Sequence, residues 1–101
     1  MAAVPKKLYA NKPSTGSTTL YTVPANSTTI VKNIVLCNTS GSTATITLNA
    51  SGQAVMSSLK VDPNDTVTMD LSLVLAAGDT ISGLQGTPGA ISVYISGVEV
   101  S

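Results

Sequence analysis

Apolar and polar residues alternate with a period of two along much of the chain. Ile46 and Leu48 alternate with Thr45, Thr47 and Asn49. Val67, Met69, Leu71 and Leu73 alternate with Thr66, Thr68, Asp70 and Ser72. Ile91, Val93 and Ile95 alternate with Ser92, Tyr94 and Ser96. Such a pattern sends one set of side chains to each face of a β-sheet, and the β-branched residues that dominate it suit a pleated surface. The segment Thr29–Cys37 reads differently. It is apolar on both parities and is interrupted by Lys32-Asn33. It predicts a long strand whose second half is buried on both faces, with a bulge or bend near Lys32-Asn33 to shift the parity.

Turn-forming clusters punctuate the chain at short intervals: Asn11-Lys12-Pro13, Pro24-Ala25-Asn26, Asn38-Thr39-Ser40-Gly41, Ser51-Gly52, Asp62-Pro63-Asn64-Asp65, Ala77-Gly78-Asp79 and Gly86-Thr87-Pro88-Gly89. Between them lie strand candidates at 6–10, 18–23, 29–37, 43–50, 54–60, 65–73, 79–84 and 90–100. About eight short strands in a chain of 101 residues predict an all-β, antiparallel β-sandwich with jelly-roll wiring. The expected core is Ile30, Ile34, Leu36, Ile46, Leu48, Val67, Met69, Leu71, Ile91, Val93 and Ile95. Gly97, inside the last strand, marks a bulge or a close backbone approach. One domain spans 1–101, with 1–17 forming a strand and loop or an arm.

Composition narrows the function. Charged residues are 10% of the chain against the usual quarter or so, the formal net charge is zero, and there is no Arg or His. A neutral chain without Arg lacks the electrostatic footprint of a nucleic-acid binder. Without His, and with one Cys, no zinc or copper constellation can be assembled. The apolar runs are far shorter than the roughly 18 residues of a membrane span, so no membrane partner is expected. The N-terminal residues do not resemble a signal peptide, which points to synthesis in a reducing cytoplasm. The core must be aliphatic, because Phe and Trp are absent and only Tyr9, Tyr21 and Tyr94 carry rings. Limited internal burial, together with the edge strands of a sandwich, favours a homo-oligomer or a place in a larger assembly.

Candidate chemistry is sparse. Cys37, at the end of the most apolar strand, reads as a buried structural residue alongside Ile34, Leu36 and Leu48. Asp62 and Asp65 flank a turn, and Asp79 follows Gly78 in another. Asp70 and Glu99 lie on strands at polar-face positions. None of these pairs a general acid with a base. Asp62-Pro63-Asn64-Asp65 lacks the spacing of a calcium loop. The four Asn-x-Ser/Thr sequons, at Asn26, Asn38, Asn49 and Asn64, are the chance product of a Ser/Thr-rich chain. No cofactor is expected, and the chain reads as non-enzymatic. Tyr94, between Val93 and Ile95 at an outward position, is the first candidate interface residue, with Tyr9 next.

The stretch Leu20-Tyr21-Thr22-Val23-Pro24-Ala25, followed by Ile30-Val31-Lys32-Asn33-Ile34-Val35-Leu36-Cys37-Asn38, resembles a pattern of small virion proteins of tailed bacteriophages. The Ser/Thr/Gly hairpin and strand over Thr39–Leu48, the segment Leu75-Ala76-Ala77-Gly78-Asp79-Thr80-Ile81 and the closing strand Ala90–Val100 are similar to the same modules. The resemblance covers most of 18–100. It implies a structural β-module located in the virion, of the head-decoration, head-fibre, neck or tail-fibre type, with other virion structural proteins as partners and no catalytic residues. The absence of a shaft or coiled coil favours a stand-alone accessory protein that binds capsid or neck and itself. The alternative is a tail-fibre or receptor- or carbohydrate-binding module.

Overall fold

The structure, a computed structural model, describes residues 3–100. Its strands are β1 (Ala3–Asn11), β2 (Thr18–Thr22), β3 (Thr28–Asn38), β4 (Ala44–Ala50), β5 (Gln53–Val61), β6 (Thr66–Leu75), β7 (Thr80–Gln85) and β8 (Ile91–Val100), and the described residues contain no helix. The first strand pairs with the last, the second with the next to last, and so inward to β4 with β5, always antiparallel. This is one long hairpin rolled up on itself. Pairing of β3 with β8 and of β4 with β7 completes two sheets. Sheet I has the order β1-β8-β3-β6 and sheet II the order β2-β7-β4-β5. The result is a jelly-roll sandwich. β1 is paired with β8 from Ala3 to Asn11 and so belongs to the sheet rather than forming an arm.

The period-two pattern decides which side chains meet between the sheets. In β4, Ala44, Ile46, Leu48 and Ala50 point inward and are buried, while Thr45, Thr47 and Asn49 face out. Ile91, Val93 and Ile95 do the same in β8. They meet Ile34 and Leu36 of β3 in an aliphatic core that also takes in Val23, Val61, Leu75 and Ile81. Burying each such side chain contributes about 1.5–3 kcal/mol.

Bulges displace part of the expected core. Between Val31 and Asn33, β3 gains Lys32 relative to β8, and its inward set changes from Thr29 and Val31 to Ile34, Leu36 and Asn38. Ile30, expected inside, therefore faces outward and is half-buried, and Val31 takes its place. Val67, Met69 and Leu71 do face inward, but they lie on an edge strand and are only half-buried. Glu99 shares the inward parity of Ile91, Val93 and Ile95, because β8 keeps its alternation through Gly97. It is thus not a polar-face carboxylate, as its type had suggested.

Two buried amides hold the loops at one end of the sandwich. Asn38 Nδ2 donates to the carbonyls of Ser42 (2.8 Å) and Val61 (2.9 Å), and its Oδ1 accepts from the Ser40 amide (2.9 Å) and hydroxyl (2.7 Å). Gln85 Nε2 donates to Pro13 O (2.6 Å), and Gln85 Oε1 accepts from the Ile91 amide (2.8 Å). Buried polar groups need such partners, and these are satisfied. The segment Asp62–Asp65 is a tight turn closed by Asp65 N to Asp62 O (3.1 Å), with Asn64 at φ 58° after Pro63.

Candidate interaction surface

Tyr94 stands on the outer face of sheet I and is 47% exposed. Across the strands it is opposite Ala10 of β1 on one side and Val35 of β3 on the other. The next row outward pairs Ser92 with Cys37. Ala10, Val35, Cys37, Ser92 and Tyr94 line a shallow depression of about 440 Å³, with Asn11 and Lys12 beside them. The Lys12 ammonium is drawn to the Gly89 carbonyl (3.1 Å), away from the centre of the face. The floor is therefore uncharged and mostly apolar, with the Ser92 hydroxyl as its polar member, and the Tyr94 ring with its hydroxyl provides a contact that is apolar in body and polar at its tip.

At the bulge the same face is polar, and beyond it Ile30 faces outward between Val74 and Val98. Asn33 Nδ2 donates to Asp70 Oδ1 (2.7 Å), and Lys32 Nζ to Ser72 Oγ (3.4 Å), around a second open hollow.

Of the residues singled out from the sequence, Ile34, Leu36 and Leu48 are buried at 3%, 0% and 1% exposure. Cys37 is a correction. It is half-buried on the outer face rather than inside, because the parity change at Lys32 turns Ile34, Leu36 and Asn38 inward and Val35 and Cys37 outward. Tyr9 is a second correction. A bulge at Leu8 brings Tyr9 opposite Ile95, so its ring packs against the core on the face away from Tyr94, and burial raises its hydroxyl pKa. Ala10 and Val35 were not anticipated as contact residues. For Val35 the signal was present in the doubly apolar run Ile34–Cys37, whose outer parity no element covers among the described residues.

Tyr21 lies at the end of the sandwich away from the clamped loops. Its hydroxyl donates to Glu99 Oε2 and meets Thr29 Oγ1 at 2.9 Å, and Lys6 Nζ lies 3.1 Å from Glu99 Oε1. The Tyr21 hydrogen bond, and then Lys6, hold the Glu99 carboxyl below its ordinary pKa. Burial, reinforced by Glu99, raises that of Tyr21. This group joins β2 of one sheet to β8, β3 and β1 of the other.

Among the described residues, no three acidic, thiol or imidazole side chains converge as a metal site. No protein-family model and no curated protein sequence matches the chain.

Proposed function

We propose that the chain is a non-enzymatic structural protein of a tailed-phage virion. It is an accessory or decoration-type module that is made in the host cytoplasm, docks on capsid or neck subunits and self-associates. The observation that carries this reading is the mostly apolar outer floor of Ala10, Val35 and Cys37 around Tyr94, which no element covers among the described residues. Antiparallel sheets that face water on one side alternate apolar-in with polar-out, as this face does at Ser96, Thr68 and Asp70, whereas Val35, Cys37 and Ala10 around Tyr94 depart from that rule. Support also comes from the resemblance of residues 18–100 to small virion modules. The low charge suits close packing of many copies, since there is little self-repulsion to overcome. Docking would proceed by burial of Tyr94 and its neighbours against a flat apolar patch of a virion subunit.

The test is pelleting of the purified chain with phage particles that lack it, combined with mass spectrometry of complete particles. Saturable binding that Tyr94→Ser abolishes is the expected result. Binding that Tyr94→Ser leaves unchanged overturns the docking face. Absence from complete particles, with no binding to depleted ones, overturns the virion reading.

A further inference from the structure

The sandwich has four strand edges, and three of them are blunted. β1 carries Pro5, Lys6 and Lys7 and a bulge at Leu8. β2 is only 5 residues long and is bulged at Leu20. β5 shifts register twice against β4, holds Ser58 at φ 49° and carries Lys60. These are the devices that prevent strand-to-strand addition. β6 has none of Pro, Gly or Lys over its 10 residues, and its only charge is Asp70. It pairs with β3 on one side, and its other edge is free among the described residues. Its burial alternates without a break from Thr66 to Leu75, even though its register to β3 shifts opposite Lys32.

A second feature lies on the same side. The inward row Val67, Met69, Leu71 and Leu73 is only half-buried, and so are Val55 and Leu59 of β5, which borders this side in sheet II. The free edge therefore runs beside an incompletely closed apolar seam.

We infer that β6 pairs antiparallel with β6 of a second copy about a twofold axis at Leu71, joining two sandwiches through a continuous sheet. The strand is self-complementary in this register. Leu71 meets the partner's Leu71, Met69 meets the partner's Leu73, and Val67 meets the partner's Leu75, so the apolar row faces an apolar row. On the outer face, Thr68 meets the partner's Val74, which is 69% exposed in the single chain, and Asp70 meets the partner's Ser72. Centring the axis one residue earlier would set Asp70 against the partner's Asp70, a like-charge pair that disfavours the slip. The single carboxylate lies opposite the partner's uncharged Ser72, so charge opposes the pairing little, and the self-complementary apolar row selects the strand's own copy. The contact is isologous and closes at two copies. It deepens the self-association part of the proposed function and rests on that part alone, leaving the Tyr94 face free for virion subunits.

The experiment uses the full chain with Cys37→Ala as background. Sedimentation velocity over a concentration series is expected to show a monomer–dimer equilibrium. Under oxidation, an equimolar mixture of Asp70→Cys and Ser72→Cys chains is expected to cross-link at least tenfold faster than either chain alone, and a mixture of Thr68→Cys and Val74→Cys chains likewise. All four positions lie on the outer face, and circular dichroism checks that each variant folds. A monomer at every concentration overturns the inference, whatever the pelleting assay gives. So does a dimer in which mixed and single-variant cross-linking rates are equal. Loss of particle binding by Tyr94→Ser with an intact dimer separates the two readings.

Discussion

Gly97 of β8 lies flat against the backbone of β3 at Ile30. A Cβ on Gly97 would press into the Ile30 carbonyl and stand 3.1 Å from the Val31 Cα. The neighbour is backbone within a paired ladder, which cannot swing aside as a side chain would. The contact sits where β3 absorbs its extra residue, beside the Val31–Gly97 pair that precedes the register shift. The glycine allows the two strands to stay paired through the bulge.

Gly97→Ala should therefore destabilise the fold by about 1–3 kcal/mol through overpacking. The urea midpoint should fall with little change in the slope of the transition. Gly41, with open space around its Cβ direction, is the control, and Gly41→Ala should be close to neutral. Equal effects at the two positions would refute the close-approach account.

Cys37 faces the outer depression, so its replacement should be mild. Cys37→Ser is expected to change stability by less than about 1 kcal/mol, in the range of surface substitutions rather than core cavities. The native protein should react with a small maleimide without prior unfolding. Complete protection of the thiol until global unfolding, measured by mass spectrometry, would return Cys37 to the core.

Asn38 satisfies two carbonyls and the groups of Ser40 from a fully buried position. Asn38→Ala strands these partners at the junction of β3, the following loop and the end of β5. It should cost about 2–4 kcal/mol, since an orphaned buried polar group costs about 1–3 kcal/mol. Chemical denaturation measures the loss. Native-state hydrogen exchange should show the loop amides around Ser40 and Ser42 exchanging faster than those of β8.

The strands were legible because half-buried sheets impose a period of two, and turn residues mark where it stops. β4, whose alternation is unbroken, has the faces its sequence implies. The faces of Ile30, Cys37 and Tyr9 were not legible. Each depends on where a bulge falls, at Lys32 in β3 or at Leu8 in β1, and a bulge is resolved only by pairing with β8. The pattern at Lys32-Asn33 did announce a parity change, but not which side of it faced inward. Asn38 reads as the start of a turn, and Gln85 falls between a strand and a turn with no signal of its own. Their roles depend on carbonyls at Val61 and Pro13, far away in the chain. The Tyr94 position could be read from the alternation alone. Its apolar surroundings could not, since Ala10 reaches it only through the β1–β8 register.

Glu99 links stability to acid. Its carboxyl is held below the ordinary value by the Tyr21 hydroxyl first and by Lys6 second. A carboxylate depressed in the folded state contributes stability that is fully present above its unfolded pKa of about 4.3. That stability is lost as pH falls through the folded value. Wild-type chain should thus lose stability progressively as pH falls below about 5. Tyr21→Phe removes the leading hydrogen bond and should flatten that dependence, as should Glu99→Gln. Urea midpoints at neutral and acid pH measure the difference. An unchanged acid slope in both variants would show that the Tyr21–Glu99–Lys6 group has no part in it.

Docking through the Tyr94 face should be insensitive to salt. The floor formed by Ala10, Val35 and Cys37 carries no charge, and the nearest cation, Lys12, is engaged by the Gly89 carbonyl. Burial of apolar surface is not screened by ions, and excluded salts strengthen it. An interface of exposed charge pairs behaves oppositely, because the screening length falls to about 3 Å at 1 M ionic strength. Particle binding should therefore persist from low salt to about 1 M sodium chloride. Tyr94→Ser should reduce affinity at least tenfold at both ends of that range, and Tyr94→Phe should retain most of it if the ring, rather than the hydroxyl, carries the contact. Pelleting assays over the salt series give both comparisons. Binding that disappears at high salt would instead place the contact on the polar part of sheet I, around Lys32 and Asp70, where the second hollow lies.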